Sequence, residues 1–337
     1  MRTWVVLAPP EQAENVRQAL HRLGILRRDV RAIRAEHEVA FPVESLPEPP
    51  LEHTRVEERE LPSKAAPPRS YRELLHLTPD LQALLPRAFD VIGDIVLVRL
   101  PSELTPHAAE IGAALLAFVP GARRVGGDLG VHGTSRLRQL APLAGTGPWR
   151  THYRENGLEF VVDPEVAYFS PRLAREHARV ASEVRPAETV WDLCCGIGPF
   201  ALTLARRGLA ERIVAVDSNP AAIALLRENA ERLRVAGRIE ARNESVEQFL
   251  KAAGTADRVV LNLPHEGIKY LPSVSAAVAP GGTVHYYEVT PRADHSMRGI
   301  ALVRQLGSGA DWTCLESRLV HPYSPQADLV AYTLRRT

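Results

Sequence analysis

The sequence predicts an α/β protein: a parallel-sheet domain at 166–337, an α+β domain before it at 70–165, and a small α/β unit at 1–43. Three observations predict this. From residue 166 onward, β-rich apolar runs alternate with amphipathic helical stretches, the repetition that builds a parallel sheet covered by helices on both faces. A glycine-containing turn, Cys194-Cys195-Gly196-Ile197-Gly198-Pro199, joins the first of those strands to a helix. Between 44 and 69, proline and mixed charge displace large apolar residues, which marks a linker or exposed arm.

Composition bounds the function. The 337 residues allow two or three domains. Hydrophobic residues at 45% and charged residues at 24% exclude a disordered chain or a fibre. No apolar run approaches the roughly 18 residues of a membrane-spanning helix. The start, MRTWVVLAPPEQAE, lacks the basic-apolar-small order of a secretory signal. The expectation is a cytoplasmic protein with no membrane partner. Cys194, Cys195 and Cys314 make neither a disulfide framework nor a good metal site, so no metal is expected. The net charge of +1 selects no partner, although the cations are nearly all arginine, with Lys64, Lys251 and Lys269 the lysines. Guanidinium suits phosphate, and a GC-rich coding sequence explains the excess equally well.

The elements follow in order. RTWVVLAP reads as a strand, AENVRQALHRLGIL as a helix through Val16, Leu20 and Leu23, and VRAIRAEHEVAFPV as one or two more strands. Residues 44–63 carry six glutamates against Arg55 and Arg59, a local −4 that should avoid nucleic acid. YRELLHLTPDLQALLP suggests short helices, FDVIGDIVLVRLP a strand, and ELTPHAAEIGAALLAFVP a helix. THYRENGLEFVVDP is two strands turning at Asn156-Gly157, a pair that permits a tight hairpin. Then come strands TVWDLCC, RIVAVDS, RIEARNE, RVVLNLP and GGTVHYYEV, separated by the helices PRLAREHARVASEV, FALTLARRG, PAAIALLRENAERL, SVEQFLKAA and IKYLPSVSAAVA. The tail from Cys314 adds two strands at one edge.

The candidate cofactor site lies at the ends of these strands. Asp192 closes the first; Gly196 and Gly198 let the backbone turn and approach a ligand. Asp217-Ser218 ends the second, where an acid accepts from ribose hydroxyls, or merely caps a helix. The spacing D-x-x-x-G-x-G departs from G-x-G-x-x-G and favours a nucleoside without pyrophosphate, S-adenosylmethionine rather than NAD. Glu244 and Ser245 end the third strand, as an adenine-edge reader or as a simple helix cap. Asn262 ends the fourth, with a donor and an acceptor for a heterocycle edge. The turn Asn262-Leu263-Pro264-His265 lacks the aromatic that commonly stacks the base in exocyclic-amine methyltransferases, which argues for another target atom.

Together FDVIGDIVLVRLP, YRENGLEFVVDPEVAYFSPRLAREH, DLCCGIGPF, LNLP, GGTVHYYE and HPYSP resemble the archaeal and eukaryotic type of tRNA (guanine(37)-N1)-methyltransferase. The resemblance covers about 70–337 well, and 1–43 looks like that family's small tRNA-binding domain. It implies a Rossmann-like class I methyltransferase domain, S-adenosylmethionine as cofactor, and tRNA as partner. By position it implies Glu176 as general base and Arg136 as the cation at the base oxygen, with Arg138 not excluded, and it adds Asn262 to the catalytic set. Tyr168, Arg172 and His177 would border the cofactor. Without the resemblance, Arg172 and Glu176, four apart on one helix face, read as a surface ion pair. Cys194 and Cys195 read as structural.

Arg123, Arg124, Arg136, Arg138, Arg150 and Arg154 against Asp128 and Glu155 give 120–155 a local +4, suited to RNA phosphates or to plain solvation. The expected protein acts as a monomer on the anticodon stem-loop, and the small first unit adds a distant contact, for which the tRNA elbow is the candidate. Rival readings are a wybutosine-pathway aminocarboxypropyl transferase on the same fold, a non-catalytic RNA-binding protein, and a small-molecule methyltransferase.

Overall fold

The computed structural model describes residues 2–27, 29–35, 37–61, 68–132, 137–306 and 311–337. Lys64 and Arg136 lie outside the described residues. The chain forms two compact units, Met1–Ser70 and Tyr71–Thr337.

The first unit comprises β1 (Arg2–Ala8), α1 (Ala13–Arg22), β2 (Ile33–Arg34), β3 (Val39–Val43) and β4 (Arg55–Glu60), with sheet order β2-β3-β1-β4 and antiparallel neighbours. Val16 and Leu20 of α1 pack on Val6, Phe41 and Val43. The stretch expected as a linker at 44–69 therefore supplies a strand: β4 pairs along β1 from Arg2↔Glu60 to Leu7↔Arg55. Its charges suit an edge strand, where they discourage pairing with a second chain. Two of them, Arg55 and Arg59, both sit 2.6 Å from Glu38.

The second unit opens with α2 (Pro79–Leu84), β5 (Asp90–Ile92), β6 (Ile95–Val98), α3 (Ala108–Phe118), β7 (Arg124–His132) and β8 (Leu137–Gly145), whose strands form a sheet in the order β5-β6-β7-β8. The hairpin of β9 (Thr151–Glu155) and β10 (Leu158–Val162) turns at Asn156 and Gly157, with φ of 49° and 76°. Next come α4 (Ala174–Glu183), β11 (Thr189–Leu193), α5 (Pro199–Arg207), β12 (Arg212–Asp217), α6 (Pro220–Arg232), β13 (Ile239–Asn243), α7 (Val246–Ala252) and β14 (Ala256–Leu261). The chain ends with α8 (Leu271–Ala277), β15 (Val278–Pro291), α9 (His295–Gln305), β16 (Trp312–Pro322) and β17 (Ala327–Arg336). Among the described residues the large sheet runs β13-β12-β11-β14-β15-β17-β16, parallel from β13 to β15 and antiparallel beyond. Helix α9 is absent from the expected elements; its apolar residues Ile300–Val303 form one short run between Arg298 and Arg304 that periodicity alone does not assign to a helix.

The division at 165/166 is not a break in packing. The buried Asn229 of α6 accepts from the Val161 backbone N–H at 2.7 Å and donates to its carbonyl at 3.0 Å. Ile92 and Leu97 share one apolar core with Phe160, Ile223 and Leu226. Strand order reverses between β11 and β14, and the crevice above that point is where ligands bind in open α/β sheets.

Candidate active site

After β11 the chain turns sharply into α5. Cys194, Gly196 and Gly198 all take left-handed backbone, with φ of 62°, 56° and 80°. Gly198 favours glycine on two counts: its left-handed backbone strains any side chain, and a Cβ there would press to 2.2 Å from the Leu226 side chain. Asp217 ties the turn to the end of β12: its Oδ2 accepts from the Gly196 N–H at 2.8 Å and its Oδ1 from the Asn219 N–H at 2.9 Å. Asn219 caps α6 by accepting from the Ala221 N–H at 3.0 Å. Burial raises the Asp217 carboxyl above its usual range, against the two backbone bonds that lower it.

A cavity of about 820 Å³ opens above this turn. Its walls include Tyr168, Cys194–Gly196, Asp217, Ser218, Ser245, Glu247 and Asn262 on the cofactor-loop side. The other side is built from Asp90, Asp128, Arg138, Arg172, His177, Pro264, His265, Tyr323 and Leu329.

Of the expected site residues, Tyr168, Arg172, His177, Gly196, Asp217, Ser218, Ser245 and Asn262 line this cavity. Asp192 does not: it is 0% exposed, and its Oδ2 accepts from the Ala201 N–H at 3.1 Å, fastening α5 to β11. Burial, reinforced by the nearby Asp217 charge, pushes its carboxyl up to about 7. Glu244 faces Arg242 at 3.5 Å instead of the cavity, while Glu247, in the first turn of α7, takes a place in the wall. Ser245 is the N-cap of a capping box with Gln248, at 3.2 and 3.0 Å, so the simple capping role is fulfilled as well. Burial drives both Cys194 and Cys195 thiols upward, which fits structural, protonated roles.

Glu176 is not part of the cavity wall. Its Oε2 accepts from Arg179 Nη2 at 2.7 Å and from the Tyr287 hydroxyl at 3.0 Å, and the residue is 4% exposed. The expected Arg172–Glu176 pair is absent for the same reason: Arg179 takes Glu176, and Arg172 donates to Asp90 at 2.8 Å. Its neighbour His177 does face the cavity. His177 Nδ1 lies 2.6 Å from Glu155, both residues are buried, and its Nε2 has no hydrogen-bond partner among the described residues. Glu155, in the last position of β9, escaped the sequence reading because its partner is 22 residues away.

Arg138 lines this cavity and does not stand on an exposed loop. It is 8% exposed, donates to Asp128 at 2.8 Å and to the Phe169 carbonyl at 3.2 Å, and lies 5.4 Å from the Tyr168 ring centroid. Its Nε has no partner among the described residues. The remaining arginines are occupied. Arg123 pairs with Asp94 at 2.7 Å and donates to the carbonyls of Thr146 and Pro148. Arg124 stacks at 3.6 Å on the buried Trp149. Arg150 pairs with Glu228, and Arg154 with Glu159 at 2.8 Å. The +4 counted along the chain is thus largely neutralised by acids from outside the window. Arg123, Arg150 and Arg154 still share one open groove beside β9.

Among the described residues there is no cluster able to hold a metal ion and no helix long and apolar enough to cross a membrane.

A doubly wound sheet with a glycine turn after one strand and an acid at the end of the next defines a Rossmann-like enzyme that holds a nucleoside cofactor at its switch point. The family is set by comparison. A model of the TRM5/TYW2 methyltransferase domain matches residues 151–308, and one of the TYW2 N-terminal domain matches 71–148. The tRNA (guanine(37)-N(1))-methyltransferase Trm5b of Pyrococcus abyssi is 32% identical over 99% of both chains. The chain belongs to the TRM5/TYW2 methyltransferase family. The tRNA(Phe) (4-demethylwyosine(37)-C(7)) aminocarboxypropyltransferase of Pyrococcus horikoshii is 30% identical over 65% of this chain and 78% of its own. Among solved structures, the complex of aTrm5 with tRNALeu superposes with a TM-score of 0.76 at 26% identity, covering 99% of both chains. Methanocaldococcus jannaschii Trm5 in complex with adenosine does so with 0.67 at 25% identity, also covering 99% of both.

Proposed function

We propose that this protein transfers the methyl group of S-adenosylmethionine to N1 of the guanine at position 37 of tRNA. The observation that carries the reading is the continuous cavity, which joins the glycine turn and Asp217 to Arg138 and Asn262 in about 820 Å³. That is room for a nucleoside cofactor and part of a second base. Full-length similarity to a Trm5b enzyme supports it.

The residues present fit the cofactor. A Cβ on Gly196 would come within 3.3 Å of the Tyr168 carbonyl oxygen, so the bare backbone there keeps the floor open. Asp217 has lone pairs left for ribose hydroxyls beyond its two backbone bonds. S-adenosylmethionine supplies an electrophilic methyl group on its sulfonium. Tyr168, Arg172 and His177 border it, and Glu155 fixes the orientation of the His177 ring. Glu247, with Ser245, replaces Glu244 on the adenine side.

Guanine N1 carries a proton at neutral pH, so a base must take it as the methyl arrives. We assign this to Glu176, whose carboxylate must turn away from Arg179 and Tyr287 when substrate binds. Charge then moves toward O6, where a fixed cation stabilises it. Arg138 takes that role in this reading, since it lines the cavity and its Nε has no partner among the described residues. Asn262 holds the base edge with its donor and acceptor. The groove arginines Arg123, Arg150 and Arg154 face the anticodon stem-loop, the first unit reaches the elbow, and the protein works as a monomer.

One observation favours a second reading. The match of 71–148 to a TYW2 N-terminal domain fits transfer of the cofactor's aminocarboxypropyl group instead. The test incubates tRNA transcripts with S-adenosylmethionine and analyses the nucleosides by mass spectrometry. The expected product is 1-methylguanosine from a transcript with guanine at position 37 and none when another base stands there. An added aminocarboxypropyl group, or no modification, overturns the proposal.

A further inference from the structure

The motif His321-Pro322-Tyr323-Ser324-Pro325 has no part in the mechanism above, yet the structure brings it to the mouth of the same cavity. Tyr323 lies just beyond β16, at the turn into β17. Its ring is half exposed, at 51%, and lines the cavity beside His265, which follows Asn262-Leu263-Pro264. The Tyr323 hydroxyl and His265 Nε2 are 3.0 Å apart, and the two rings meet edge-on at 5.4 Å and 67°.

Both rings stand on fixed backbone. The N–H groups of Tyr323 and Ser324 donate to the Ala327 carbonyl at 3.0 and 2.8 Å, closing the β16–β17 turn. The Leu263 carbonyl accepts from Gly267 at 2.7 Å, and the Pro264 carbonyl from Val289 at 3.2 Å, closing the other turn. The hydrogen bond engages the polar edges of the two rings with each other. Tyr323 is thereby held at the cavity wall with half of its surface exposed, and His265 stands three residues beyond Asn262. A base removed from its stack loses its neighbours, and aromatic faces are what proteins offer in exchange.

We propose that Tyr323, braced by His265, is the stacking wall for the flipped target purine. The aromatic missing from the turn after Asn262 is supplied from the far end of the chain, 58 residues on. The inference rests on the methyltransferase reading and adds a base-binding residue to it.

The experiment compares the full-length wild type with Tyr323→Ala, Tyr323→Phe and His265→Ala. Guanine-37 transcripts are used for kinetics, and transcripts with fluorescent 2-aminopurine at the same position report stacking, which quenches emission. Tyr323→Ala should lower kcat/KM for tRNA roughly tenfold with unchanged S-adenosylmethionine affinity by calorimetry, and Tyr323→Phe, which keeps the ring but loses the hydrogen bond to His265, should lose clearly less than Tyr323→Ala. His265→Ala, which removes both the hydrogen bond and the edge-on ring contact but leaves the Tyr323 ring, should fall between Tyr323→Phe and Tyr323→Ala. The 2-aminopurine should emit more strongly on Tyr323→Ala than on wild type. Equal emission on the two proteins, wild-type kinetics in Tyr323→Ala, or a loss in Tyr323→Phe as deep as in Tyr323→Ala each overturns the stacking role. A wild type that methylates no guanine overturns the underlying function, an outcome distinct from an active wild type matched by Tyr323→Ala.

Discussion

The turn after β11 and the arginine-rich stretch at 120–155 solve their electrostatics at different ranges. In the turn, the carboxylates find backbone partners close by in the chain: Asp217 accepts from Gly196 and Asn219, and Asp192 Oδ2 accepts from Ala201. In the arginine stretch the partners come from other elements. Arg123 finds Asp94 on the β5–β6 turn, Arg138 finds Asp128, and Arg150 finds Glu228 on α6. A motif closed on its own backbone keeps its geometry wherever the fold places it. A run of charge has no meaning until the fold has chosen its counter-ions.

Glu176 tests that contrast most severely, because it sits by the turn yet takes a partner 111 residues away, Tyr287. If it is the base, Glu176→Gln should cut turnover by about 10²- to 10⁴-fold and leave cofactor affinity near normal. The check is single-turnover methyl transfer beside calorimetry. Turnover within threefold of wild type would remove Glu176 from the chemistry and leave it a structural partner of Arg179.

Asp192 sharpens the comparison from the buried side. Its carboxyl is pushed up to about 7 by burial, whereas an unfolded aspartate titrates near 3.8. Between those values the native state holds a proton that the unfolded state has lost. Its contribution is therefore full below about pH 4 and is lost as pH rises through about 7. The stability of wild type relative to Asp192→Asn should fall with rising pH across this window, by about 1 kcal/mol per unit. Urea unfolding of both proteins at several pH values between those limits measures it. A pH-independent difference would mean that Asp192 is ionised in the fold.

The same contrast explains what could be read from the chain alone. The alternation of strand and helix, the glycine turn, Asp217 and Asn262 were legible, because each depends on neighbours a few residues or one β-α-β unit away. Strand β4 was not: its R-V-E-E-R-E pattern reads as solvated charge until β1 is known to lie beside it. Glu155 was hidden because only the fold brings it to His177, and Glu244 and Glu247 could not be told apart without the exit angle of α7. Tyr323 reaches the cavity only through the long β16–β17 hairpin.

Asp217 should show a graded loss. Asp217→Ala removes both the acceptor for ribose and the clamp on the Gly196 N–H. Cofactor affinity should fall about 10- to 100-fold, or roughly 1.4–2.8 kcal/mol, read by calorimetry. Asp217→Asn keeps one carbonyl acceptor and should lose less. Equal and undiminished affinity in both variants would confine Asp217 to capping.

The smallest effect is expected at the open groove, where side chains of Arg150 and Arg154 are 48% and 84% exposed. Exposed ion pairs such as Arg154–Glu159 contribute little to folding, so the guanidinium can leave its glutamate for a phosphate at small cost. Each arginine that does so should release about one counter-ion from the RNA. Replacing both by alanine should weaken tRNA binding a few-fold at moderate salt, leave cofactor affinity unchanged, and reduce the slope of log affinity against log salt by roughly one to two. Filter binding across a salt series reads both quantities. An unchanged slope would show that these two arginines serve Glu228 and Glu159 alone.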